Sequence, residues 1–194
     1  MKTKTMKMSQ AEANRITKHT GRANYLLIIA PDADGSLWVT NTYLAAPVWT
    51  PAMTGLLDVL NVDPEPGTYT RENTRARWTH DENVPNLAKL LEVRPGSRQV
   101  HNPAMEMWND FGGGDRGPWD RAELHDRGSV TLQRLFARDP YETVWVNPEF
   151  FAVVDRCRDV LPGRVLKADG TNAPLMWVDD TDKPMGLLMP VRAS

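Results

Sequence analysis

The side chains best suited to bond-making chemistry are scattered along this chain. Histidines stand at 19, 80, 101 and 125, and two of them precede an aspartate, as His80-Asp81 and His125-Asp126. Adjacent side chains point away from each other on a strand, so such neighbours seldom form a hydrogen-bonded dyad. No HExxH, GxSxG or phosphate-loop spacing occurs. Gly112-Gly113-Gly114 lacks the following Gly-Lys-Ser/Thr, so a phosphate cradle is not expected there. Asp179, Asp180 and Asp182 read as a hydrophilic hairpin turn rather than a metal site. Asp110, Asp115 and Asp120 have no spacing that points to a known centre. The one cysteine, Cys157, excludes an intramolecular disulfide and a multi-cysteine zinc site. It falls on the apolar face of a predicted helix, where a thiol packs as a small hydrophobe. The expectation is a protein that is not an enzyme and carries neither metal nor cofactor.

Contact chemistry is better represented. On a helical wheel of the first predicted helix, Met8, Ala13 and Ile16 share one side, while Arg15 and Lys18 lie opposite, with Arg22 just beyond the end. That basic face can touch phosphates without reading base sequence. A second helix carries Arg156 and Arg158, but they flank Asp155 and Asp159 on the face opposite Phe150, Val154 and Cys157. Carboxylates aimed at phosphate repel it. In both helices the competing expectation is an ordinary solvated face.

The elements that position these residues follow from local rules. Ser9-Gln10-Ala11-Glu12 is a capping box, which predicts a helix from about Gln10 to Thr20, with Gly21 as C-terminal cap. Asn24 to Ala30 reads as a buried strand, Asp32 to Gly35 as a turn, and Ser36 to Val48 as a second strand, giving a hairpin. Pro51 to Leu60 is a short amphipathic helix ended by Asp63 to Gly67. Thr68 to Thr79 alternates Tyr69, Arg71, Arg75 and Trp78 with polar residues as a strand would. Val84 to Val93 is an apolar turn or short helix. Pro95 to Gly128 is the least regular part and reads as a long loop or insertion. Thr143 to Val146 is a strand. Asn147 caps a helix that opens on Pro148 and runs to Leu161, with Phe150, Val153, Val154, Cys157, Val160 and Leu161 at helical spacing. Three strands follow, at Arg164 to Ala168, Pro174 to Asp179 and Met185 to Val191.

Bulk composition agrees with a globular protein. Hydrophobic residues make up 41% and charged residues 25% of the 194 residues. No apolar run reaches the length of a membrane-spanning helix, and the basic start from Met1 to Met8 lacks the apolar core of a signal peptide. A cytoplasmic location and no membrane partner are expected. The net charge of −2 gives no global pull toward nucleic acid, so any such contact has to come from a local patch.

Several stretches resemble the bacterial-type sliding clamps of DNA polymerase III, the beta or processivity-clamp family. The junction "VWVNPEFFAVVDRC" is similar to the family's strand-to-helix start of its second helix. The last strand, "MGLLMPVR", resembles the family's carboxyl-terminal strand. "ENVPNLAKLL" resembles the segment that precedes the second half of a domain. "SQAEANRITKHTGR" with "ANYLLIIAPDADGSLWVTNTYLAAPV" resembles the first helix and hairpin. The order is that of the family, and about 120 residues are covered; the 95–140 stretch has no counterpart. The small size and divergent middle fit a phage or mobile-element version.

The resemblance implies an α+β fold, a curved antiparallel sheet with two helices on one face. It implies one clamp-like domain over 1–194, with 95–140 as a loop-rich insertion. It implies a peptide pocket formed by Leu188, Met189, Pro190, Val191 and Arg192, and helices that face double-stranded DNA through Arg15, Lys18, Arg22, Arg156 and Arg158. The pocket's alternative is a buried final strand, and Ala193-Ser194 departs from the family's usual Leu after Arg192. The implied function is a non-enzymatic clamp of DNA replication. Its partners would be polymerase or clamp-loader peptide motifs, double-stranded DNA without sequence specificity, and further copies of itself. Two alternatives stand beside it. One is a monomeric mimic of a clamp domain that binds or antagonises a host clamp or loader. The other is an unrelated α+β enzyme with a site in the 95–140 loop.

Overall fold

The computed structural model describes residues 7–19, 24–89, 91, 98–101, 124–127, 130–137, 143–158, 165–168, 174–178, 181 and 183–190. The elements in chain order are α1 (Gln10–Thr17), β1 (Tyr25–Pro31), β2 (Leu37–Thr40), β3 (Leu44–Pro47), α2 (Pro51–Leu60), β4 (Gly67–Arg71) and β5 (Thr79–Asp81). There follow β6 (Arg98–His101), β7 (Leu124–Arg127), β8 (Val130–Ala137), β9 (Thr143–Val146), α3 (Pro148–Arg158), β10 (Val165–Ala168), β11 (Leu175–Val178) and β12 (Pro184–Leu188).

The helices begin where cap chemistry predicts. Ser9 Oγ accepts from the Glu12 N–H at 3.2 Å and opens α1, Pro51 sits in the first turn of α2, and Asn147 Oδ1 accepts from the Glu149 N–H at 2.9 Å at the head of α3. α1 is shorter than expected. It ends at Thr17 because Lys18 turns to extended backbone and bridges to Tyr25 of β1; the proposed cap, Gly21, lies outside the described residues. α3 is described to Arg158, and the expected final turn to Leu161 lies outside as well.

The stretch from Ser36 to Val48 is not one strand. It breaks at Asn41–Tyr43 into β2 and β3, so the front of the chain is a three-strand meander rather than a hairpin. The cause is a side chain. Asn41 Oδ1 accepts from the N–H groups of Tyr43 and Leu44, both at 2.9 Å, and Thr42 takes a positive φ of 77°. An asparagine that bonds its own backbone two and three residues on makes a turn out of an apolar run.

Strand alternation gives the sheet two apolar faces. Leu27, Ile29, Val39, Leu44, Trp177 and Leu188 point to one face, where Ile16 of α1, Met53 and Leu56 of α2, and Phe151 and Val154 of α3 cover them. All three described helices thus pack on the same side, one more than expected, and α2 touches both α1 and α3. Phe151, rather than Phe150, is the fully buried aromatic of α3. The opposite face carries Ile28, Trp38, Ala45, Met176, Val178 and Leu187. Val84, Leu87 and Leu91 of the apolar turn lie over it.

Every strand pairing is antiparallel, and twelve described strands join in one sheet. The 95–140 stretch, expected to be loop-rich, contributes β6, β7 and β8; its other residues lie outside the described ones. The signal was Val130, Leu132 and Phe136 at even spacing within Val130–Ala137. Register fixes how these strands sit. Gln133 of β8 lies opposite both Leu124 of β7 and Val146 of β9, and Phe136 lies opposite both His101 of β6 and Thr143 of β9. A strand has two edges, so β6 and β7 share one edge of β8 and β9 takes the other. The order β5-β4-β1-β2-β3 is therefore matched by β11-β10-(β6, β7)-β8-β9, and β12 joins the halves by pairing with both β3 and β11. Among the described elements, three strands, a helix and two strands (β1 to β5) are followed by four strands, a helix and three strands (β6 to β12), and β6 and β7 together fill the place that β1 holds in the first run. Among the described residues, the outer edges of β5 and β9 pair with nothing.

Candidate functional site

β2 ends, β3 begins and β12 ends at the same margin of the sheet. Asn41, buried, ties this margin to α1: its Nδ2 donates to the Ile16 carbonyl at 2.5 Å. The Met189 N–H donates to the Tyr43 carbonyl at 2.7 Å and so extends the β12 pairing by one bond past its last residue. The Tyr43 ring stacks on Phe150 at the head of α3, with centroids 5.8 Å apart and planes 16° apart, and lies 5.9 Å from the His19 ring. Tyr43 remains 36% exposed. The Tyr43 ring gives an aromatic surface with a polar edge on the helix face, while the Met189 side chain packs on the opposite face, so the backbone bond is what joins the two at this margin.

The five expected pocket residues fare differently. Leu188 is fully buried in the helix-side core and offers no surface to a ligand, as alternation along β12 dictates. Met189 and Pro190 are half-buried, and Met189 packs against the cluster on the opposite face of the sheet. Val191 and Arg192 lie outside the described residues.

Of the residues expected to face DNA, Arg15 is paired: its Nε lies 3.0 Å from Glu149 Oε1, with both side chains about half exposed. An exposed pair adds little stability, but the carboxylate offsets the arginine's charge toward a polyanion. Lys18 is exposed at the end of α1. Arg22 and the side chains of Asp155, Arg156, Cys157, Arg158 and Asp159 lie outside the described residues.

A basic feature emerges where none was expected. Arg71, at the end of β4, is only 7% exposed, and its guanidinium lies between two rings, 4.3 Å from the centroid of Trp78 and 4.9 Å from that of Tyr25. Its Nη2 donates to Asn14 Oδ1 at 2.6 Å, and Nη1 to the Thr74 carbonyl at 3.4 Å. The Nε of Arg71 and the Nε1 of Trp78 are buried with no acceptor among the described residues. Burial pulls the Arg71 pKa below its usual value. The alternation of Tyr69, Arg71 and Trp78 was visible in the sequence, but their meeting with Tyr25 and Asn14 depends on β1–β4 pairing and could not be.

The opposite face of the sheet holds a shallow groove of about 190 Å³ lined by Trp38, Ala88, Leu91, Pro184 and the Asp34–Lys183 ion pair, 2.8 Å apart. The hydrogen bond and charge of Lys183 hold the Asp34 carboxyl below its usual pKa. Asp32 Oδ2 accepts from the Trp38 indole at 3.0 Å, and its Oδ1 accepts from two backbone N–H groups, so Asp32 is saturated by its own turn.

His80 stacks on Tyr69, with centroids 4.6 Å apart, and its Nε2 lies 3.2 Å from the Pro66 carbonyl. Among the described residues no three of His, Cys, Asp and Glu gather as metal ligands would, and no helix is long and apolar enough to cross a membrane.

No protein-family model and no curated protein matches the sequence. Among solved structures the chain is similar to the beta chain of DNA polymerase III from Streptococcus pneumoniae TIGR4. The identity is 12% and the TM-score 0.39, over 95% of this chain and 63% of that one. The chain thus spans less than two thirds of the length of the solved chain it matches.

Proposed function

We propose that this protein is a non-enzymatic, clamp-like tether of DNA replication, which holds a polymerase or another partner through a short peptide while an assembly of its copies stays on double-stranded DNA. The observation that carries the reading is the repeat: the same strand order occurs on either side of β12, with all described helices on one face. The strand–helix–strand–strand–strand run from β9 to β12 is also the stretch whose sequence resembles the clamp family most closely. The repeat favours two clamp-type units in the chain over one unit with an insertion. Among the described residues the outer edges of β5 and β9 are unpaired, which leaves room for a second copy to continue the sheet head to tail.

Light scattering on the purified chain tests this. A stable closed oligomer retained on a nicked circular duplex and released on linearisation is the expected result. A monomer with no retention on the circle would overturn the ring. The Arg15–Glu149 pair keeps a second reading in view, a monomeric mimic of a clamp unit that binds a host clamp or loader, because it removes positive charge from the helix face. Binding to a replication clamp or loader by a monomer that ignores DNA would favour that reading.

A further inference from the structure

A buried guanidinium with no carboxylate beside it among the described residues is unusual, because an unpaired charge away from water is costly. Arg71 is held instead by two ring faces, an amide oxygen and a carbonyl. What this arrangement organises is the β4–β5 loop, residues 72–78. Arg71 reaches the Thr74 carbonyl and lies over the Trp78 ring, so the middle of the loop and its far end close on one group. Asn73 Oδ1 accepts from the N–H groups of Arg75 at 2.9 Å and Ala76 at 3.0 Å. Asn24 Nδ2 donates to the Glu72 carbonyl at 2.6 Å and anchors the loop to the start of β1.

The loop so fixed displays Arg75 and Arg77, both exposed, with no ion pair among the described residues. Lys18 adds a third cation at the same margin: it bridges to Tyr25, whose ring lies beneath the Arg71 guanidinium. Glu72 is the one acid in the loop. Arginine presents a planar fork of donors that matches phosphate oxygens, and a loop already ordered loses little freedom on binding.

We propose that the β4–β5 loop is a nucleic-acid backbone contact, in which Arg75 and Arg77 bind phosphates of double-stranded DNA and Arg71 acts as the positioning residue that holds the loop. This rests on the tether reading above, and moves the expected contact from Arg15, which is paired, to a loop the sequence did not single out.

The test is binding of the full-length chain to a short mixed-sequence duplex by fluorescence anisotropy over a range of salt. Arg71→Ala risks unfolding, so the informative variant is Arg75→Ala/Arg77→Ala, checked by near-ultraviolet circular dichroism. Each lost phosphate contact lowers the slope of log affinity against log salt by roughly 0.9, so the double variant should lose about two units of slope. A double variant that keeps the full slope overturns the proposal and leaves the tether reading standing. A wild-type chain that does not bind the duplex overturns the loop contact, while the tether reading is judged separately by retention on the nicked circle. If poly-glutamate binds as tightly as the duplex and loses the same affinity in the variant, the nucleic-acid assignment falls.

Discussion

Val154 of α3 lies directly over Gly186 of β12: a Cβ placed at 186 would come 2.7 Å from Val154 Cγ1. The strand resembling the family's last strand is thus roofed by the helix resembling its second helix, and glycine is what lets them approach. Val154 is itself buried with nowhere to retreat. Gly186→Ala should destabilise by about 1–3 kcal/mol, the usual range for overpacking a full core. Gly186→Val should cost more, and Gly186→Ala with Val154→Ala should recover part of the loss. Urea midpoints read this, and a Gly186→Ala midpoint equal to wild type would mean the helix is free to lift.

The β2–β3 turn makes a second prediction. Thr42 is β-branched at φ 77°, where a side chain is strained, and its residue is exposed. Thr42→Gly removes that strain at the cost of a looser unfolded chain, for a net gain of up to about 1 kcal/mol. Asn41→Ala goes the other way. It strips acceptors from two backbone N–H groups and a donor from the Ile16 carbonyl, for a loss of about 1–3 kcal/mol. The opposite signs at adjacent positions distinguish turn chemistry from general disturbance.

A third prediction concerns alkaline pH. Burial raises the pKa of Tyr69, and the nearby charges of Glu65 and Asp63 push in the same direction. A folded pKa above the unfolded value of 10.0 means the folded state holds the proton more tightly. This contribution is complete below pH 10 and is lost as pH rises through the folded pKa. The urea midpoint should therefore fall from about pH 10 upward, and Tyr69→Phe should flatten that fall. An identical alkaline slope in the variant would assign the loss to other groups.

These positions also show what local sequence carries. Ser9 with Glu12, Pro51, and Asn147 with Pro148 mark their helix starts, because capping is settled within four residues. Asn41 hid inside a run of strand-formers, where one side-chain bond outweighed propensity. Arg71 read as a strand residue, since its cage is drawn from α1, β1 and the β4–β5 loop. Phe150 and Phe151 are neighbours, and only the seating of α3 on β3 and β12 decides that Phe151 is buried. β9 was legible in Thr143 to Val146, but β6, β7 and β8 were obscured by the surrounding glycines and charges, which outweighed the alternation of β8 in the reading of 95–140.

The last prediction concerns the margin where β12 ends. Leu188 is sealed in the core, so a peptide that docks there would meet Met189 and Pro190, and would have to wrap the margin to reach the exposed Tyr43 ring on the helix face, which the sequence did not single out. Met189→Ala should weaken binding of a polymerase-derived clamp-motif peptide about tenfold, corresponding to a side-chain loss of about 1.4 kcal/mol. Stability should fall by less than in Leu188→Ala, because Met189 is only half-buried although it packs on the cluster of the opposite face. Tyr43→Ala should weaken binding too, but with some loss of stability, since the ring also stacks on Phe150. Leu188→Ala is the contrasting variant: it should unfold the protein at lower urea by about 2–5 kcal/mol, yet leave the affinity of the folded fraction near wild type. Titration calorimetry with the three variants reads all of this. An affinity indifferent to Met189 and Tyr43 would remove the peptide site from this margin and leave the groove beside Trp38 and Pro184 as the place to look.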